Sequence, residues 1–99
     1  MTEINREIIL KKLRGIKPEL QSKYRVSQLA LFGSYARNDQ HQDSDIDIMV
    51  DLSVPSYRNL CNTVYRLEDE FPGKKIQVVS KGGIRPPYFE RIKPDLIYA

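Results

Sequence analysis

Six residues constrain this chain more than any others: Asp45-Ile46-Asp47-Ile48-Met49-Val50, where carboxylates and aliphatics alternate before the run turns fully apolar. In an extended strand, successive side chains face opposite sides. Asp45 and Asp47 therefore project from one face, while Ile46 and Ile48 pack behind the other. Two carboxylates so close together are costly unless they face water or share a cation. The polar side of this strand has two readings: a solvated sheet edge, or a pair of oxygen ligands suited to Mg²⁺ or Mn²⁺.

A second strand is expected over Val26 to Phe32, with Leu29-Ala30-Leu31-Phe32 nearly continuous apolar, and it stops abruptly at Gly33-Ser34. A helix turn through Tyr35-Ala36-Arg37 would then present backbone N–H groups and the Ser34 hydroxyl to an anion. Gly33, having no Cβ, lets the chain approach a phosphate closely. Alone, Gly-Ser is a common turn. If the two strands pair, however, a phosphate cradle and a carboxylate pair lie at one end of the same sheet.

The remaining elements follow from periodicity and breakers. Ile4, Ile8, Ile9 and Leu13 recur at helical spacing, so Thr2 to Arg14 reads as an amphipathic helix ended by Gly15. Pro18 opens a second short helix to about Tyr24. Asn38 to Ser44 has no period and reads as a loop; its His41 is expected to be solvated. Tyr57 to Phe71 carries Leu60, Val64, Leu67 and Phe71 on one stripe and is stopped by Pro72-Gly73. Lys75 to Ser80 is a third strand, Pro86-Pro87 opens a short helix to Ile92, and Leu96-Ile97-Tyr98 is an apolar tail that docks or pairs. The fold class expected is α/β or α+β: a small mixed sheet covered by helices, as a single domain over residues 1–99.

Composition bounds the rest. With 40% hydrophobic and 29% charged residues and nothing near a membrane-spanning apolar run, the chain reads as a globular, non-membrane protein of a reducing cytoplasm. The one cysteine, Cys61, excludes an internal disulfide and is expected to be a small buried apolar residue. A net charge of +3 permits an anionic ligand without demanding one.

Gly33-Ser34, ten residues, then Asp45-Ile46-Asp47 matches the G-S-x10-D-x-D signature of the DNA polymerase β-like nucleotidyltransferase superfamily. The flanks, Leu31-Phe32-Gly33-Ser34-Tyr35-Ala36-Arg37 and Asp43-Ser44-Asp45-Ile46-Asp47-Ile48-Met49-Val50-Asp51, more closely resemble the minimal nucleotidyltransferases. These short proteins are often antitoxins beside HEPN-type ribonuclease toxins. The resemblance is dense from Leu29 to Asp51 and looser elsewhere. It implies that Gly33 and Ser34 hold a triphosphate and that Asp45 and Asp47 hold Mg²⁺; Arg37 resembles the family's basic residue there and is expected on a phosphate, on Asp43, or as a solvated surface arginine. It also implies ATP as substrate and a hydroxyl of a partner protein, a toxin tyrosine, as acceptor rather than DNA. Asn38 and Asp39 stand where relatives often carry Gly and Glu. Tyr35 is expected to pack, or to stack near the base.

One departure cuts against activity. Relatives supply a third carboxylate from a later strand, and Ile76-Gln77-Val78-Val79 corresponds to that stretch, placing Gln77 at the position. A neutral amide accepts no proton from an attacking hydroxyl and is a weak metal ligand. Asp51, or Glu68, Asp69 and Glu70, are the possible substitutes. The sequence therefore leaves two functions open: a transferase that adenylylates its partner, and an antitoxin that acts by contact with a vestigial nucleotide site.

Overall fold

The computed structural model describes residues 4–99. Its first helix, α1 (Arg6–Tyr24), starts where the Asn5 side chain accepts the Ile8 N–H at 2.9 Å. It ends at Arg25, whose left-handed backbone (φ 62°) lets its own N–H reach the Leu20 carbonyl. The expected break at Gly15 does not occur. The helix runs through both Gly15 and Pro18, and the Thr2 start lies outside the described residues. Proline in a helix interior forfeits one backbone hydrogen bond. Here Ile9, Leu13, Ile16 and Leu20 form one buried stripe spanning the interruption, and their packing on the sheet outweighs the local breakers.

Four strands, β1 (Val26–Phe32), β2 (Ile46–Leu52), β3 (Ile76–Ser80) and β4 (Ile97–Tyr98), form one sheet in the order β3-β2-β1-β4. β1 runs antiparallel to β2 and β4, whereas β2 and β3 are parallel, so the sheet is mixed as expected. The apolar tail pairs rather than merely docking. Leu31 lies opposite Ile97, and the Ala99 N–H donates to the Leu29 carbonyl at 2.8 Å. The parallel β2–β3 pair needs a crossover. It is α3 (Tyr57–Glu70), capped where the Ser56 hydroxyl accepts the Asn59 N–H.

The two faces of the sheet carry different loads. Leu29, Leu31, Ile46, Ile48 and Val50 face α1 and α3 and form the larger core with Leu13, Leu20, Leu67 and Phe71. Arg66 ties these helices together, donating to Glu19 at 3.0 Å and Glu70 at 3.1 Å. Ala30, Phe32 and Met49 point the other way, into a smaller core with Ile92, Phe89 and Leu96 around α4 (Pro86–Ile92). Cys61 is half-buried instead of buried. It follows Tyr57 by one helical repeat and precedes Tyr65 by another, and both tyrosines are exposed. Among the described residues no helix is long and apolar enough to cross a membrane.

Candidate active site

Asp47 lies directly opposite Phe32, the last residue of β1, so the chain enters Gly33 beside the Asp47 carboxylate. Gly33 takes φ 78° and ψ −156°, a conformation that L side chains rarely adopt. A Cβ placed there would fall inside van der Waals contact of Asp47 Oδ2 and only 2.9 Å from Cγ. Backbone angle and space thus both demand glycine.

From Gly33 the chain turns into α2 (Ser34–Arg37), a single helical turn. The Arg37 N–H donates to Gly33 O and the Asp39 N–H to Ser34 O, both at 3.0 Å. Asn38 closes the turn with φ 64°. That left-handed geometry explains why glycine would serve at this position and why asparagine is tolerated. Arg6 Nη1 reaches over to the Ala36 carbonyl at 3.0 Å, satisfying one orphan acceptor at the end of the turn. Tyr35 is 2% exposed and belongs to the larger core, with the Lys74 ammonium 5.6 Å from its ring centroid. Of the two expectations for Tyr35, packing holds; it is not presented for base stacking. His41 is exposed, as expected.

Asp45 immediately precedes β2, and Asp47 is its second residue; both are half-buried. Burial pushes the Asp47 carboxyl pKa up, the charge of Asp45 pushes it further, and the Arg37 guanidinium opposes them. Burial and the neighbouring Asp45 charge thus both disfavour the ionised form of Asp47. Asp45 also lines an open cleft with Asp43, Ser44, Lys74 and Lys75.

The parallel register pairs Asp47 with Gln77. Paired residues on adjacent strands face the same side, so the amide stands beside the carboxylate as the strand order anticipates. Neither proposed substitute reaches it. Asp51 is four residues along β2, beyond the buried Met49, and pairs with Gln28. Glu70 is held by Arg66, and Glu68 and Asp69 are exposed on α3, which packs on the opposite face of the sheet. Among the described residues, no group of three His, Cys, Asp or Glu side chains is placed to hold a metal ion.

Arg37 does not pair with Asp43. Its Nε donates to Asp39 Oδ2 at 3.0 Å and its Nη1 to Asp95 Oδ2 at 2.7 Å, which together raise its pKa. Asp95 carries no local signal in the sequence, being one acid between Pro94 and the apolar tail. Only the fold brings it to Arg37, 58 residues away.

A strand ending in an obligatory glycine turn against paired carboxylates is the arrangement of a nucleotidyl-transfer domain. Residues 13–95 match the nucleotidyltransferase domain family, and the chain belongs to it. Within that family it is 44% identical, over 87% of its length and 89% of the relative's, to a Methanocaldococcus jannaschii protein provisionally named a protein adenylyltransferase. A solved structure, provisionally described as a minimal nucleotidyltransferase, shares the fold with TM-score 0.79 at 21% identity, covering 98% of each chain. A crystal structure described as a toxin–antitoxin with AMP-PNP shares it with TM-score 0.66 at 22% identity, covering 96% of this chain and 72% of that one.

Proposed function

We propose that this protein is the antitoxin of a toxin–antitoxin pair and transfers AMP from ATP to a tyrosine hydroxyl of its HEPN-type toxin partner. The observation that carries the reading is the convergence of Gly33, Asp45 and Asp47. The glycine turn abuts the half-buried Asp47, whose ionisation is disfavoured by burial and by the charge of the nearby Asp45, and a bound cation would offset both. Two carboxylates on a rigid strand suit Mg²⁺ or Mn²⁺, which keep water and substrate phosphate in their shells. Asp45 and Asp47 would hold the ion, which would neutralise charge on the phosphates and acidify the attacking hydroxyl. The Ser34 hydroxyl and the N–H groups of its turn would hold phosphate oxygens, and Arg37 would offer a further N–H donor beside them. The acceptor oxygen forms a bond to the α-phosphorus, the bond to the β-phosphate oxygen breaks, and pyrophosphate leaves. Gln77 cannot take the acceptor's proton, which passes to solvent.

The position of Gln77 beside Asp47 favours a second reading, an antitoxin that binds its toxin without modifying it. Label transfer from ATP marked at the α-phosphate, with Mg²⁺, in a lysate of the source organism separates the two. A labelled protein that disappears with the Asp45→Asn, Asp47→Asn double variant supports the transferase. Label seen only with Gln77→Asp indicates a lapsed enzyme. None in any lane, with ATP still bound, supports contact alone.

A further inference from the structure

Arg37 has five N–H donors in a rigid planar fork. Two carboxylates from distant parts of the chain grip it: Asp39, just past the turn, at Nε, and Asp95, in the 3₁₀ turn before β4, at Nη1. Among the described residues, neither N–H of Nη2 has a partner. The two grips differ in quality. Asp39 is 59% exposed, whereas Asp95 is 20% exposed and makes the shorter contact, 2.7 Å. Charge-assisted bonds of that length are the stronger ones, and reduced solvent exposure screens them less. The Arg37 side chain stays 48% exposed, so these two contacts do not bury it. It also lies close enough to Asp47 for its charge to act there.

We propose that Asp95 is a positioning residue of the nucleotide site: by fixing Nη1 it orients Arg37 so that Nη2 is presented to the polyphosphate. This rests on the nucleotide-site reading above. A free arginine loses much rotamer freedom when it binds phosphate; one already held in place loses little. Asp39 and Asp95 hold the nitrogens next to Nη2, so their charge opposes an anion there, and the gain from a pre-positioned guanidinium must exceed that cost. The carboxyl group of Asp95 therefore helps binding only through Arg37. It also couples the site to the C-terminal segment, which closes the sheet through β4.

The test is a double-mutant cycle read by binding of the Mg²⁺ complex of AMP-PNP, using wild type, Asp95→Asn, Arg37→Ala and the double variant, with Asp95→Glu as rescue. Thermal melts of each report folding. Expected are a three- to thirtyfold loss of affinity in Asp95→Asn, no further loss when Asp95→Asn is added to Arg37→Ala, and partial recovery in Asp95→Glu. An equal loss in both backgrounds, or unchanged affinity in a folded Asp95→Asn, overturns the positioning role while leaving the site intact. Absence of binding by the wild type overturns the nucleotide-site reading itself, and this inference with it.

Discussion

The α-carbon of Gly33 sits so close to the carboxylate of Asp47 that a methyl group at residue 33 and the observed Asp47 side chain cannot coexist. The turn and the carboxylate are thus packed against each other, and a side chain at residue 33 would have to displace Asp47.

For that reason Gly33→Ala is expected to damage both fold and site. The positive φ and the contact together should cost about 1–3 kcal/mol of stability. Because Asp47 must shift, affinity for Mg²⁺ and ATP should fall at least about tenfold, the equivalent of roughly 1.4 kcal/mol. Thermal melts and nucleotide titrations check the two effects separately; an unchanged affinity would show that Asp47 is not part of the nucleotide site.

Asp47 carries a pH signature. Its carboxyl pKa is raised in the fold, so the folded state holds the proton more tightly than the unfolded chain does. The associated stability is fully present below the ordinary aspartate range and is lost as pH rises through the raised value. In metal-free buffer, Asp47→Asn should therefore be more stable than wild type at neutral pH, with the gain shrinking under acid. Adding Mg²⁺ should raise the melting temperature of the wild type and not that of the variant. A neutral-pH destabilisation would contradict the burial argument.

Gln77→Asp places a proton acceptor in register with Asp47. If a missing base limits the reaction, label transfer should rise by about 10²–10⁴-fold. Gln77 is exposed on an edge strand, so no buried contact is lost, but a third carboxylate beside Asp47 should lower the melting temperature slightly in metal-free buffer. Rates compared at saturating ATP measure this directly, and a Gln77→Asp rate equal to wild type would mean that proton removal is not limiting.

Gly15 offers a clean test of α1. It is exposed, helical, and a Cβ there meets nothing within 4 Å. Gly15→Ala should stabilise the chain by about 0.5–1 kcal/mol, through helix propensity alone. Denaturant titration reads the change; destabilisation would mean that the helix is broken at Gly15 after all.

The contrast between Gly15 and Asp47 also shows what the sequence reveals. The alternation at Asp45–Val50 and the apolar run at Leu29–Phe32 were readable because a strand's period of two leaves little choice of face, and the turn at Gly33 followed. The length of α1 was misread because Gly15 and Pro18 are local breakers, whereas the stripe through Ile9, Leu13, Ile16 and Leu20 acts by tertiary burial. Cys61 was misread because helical neighbours of buried residues need not be buried. The Arg37–Asp95 pair was invisible for a different reason: nothing in either neighbourhood marks a contact across 58 positions.

The division of the sheet into a heavily packed face and a lightly packed one has an evolutionary consequence. Foldedness is underwritten by α1, α3 and the residues beneath them, on the side away from Gln77. A side chain at residue 77 can exchange amide for carboxylate without renegotiating any buried contact. If the proposed function holds, a change between modifying a partner and merely binding it would meet little resistance from the buried core.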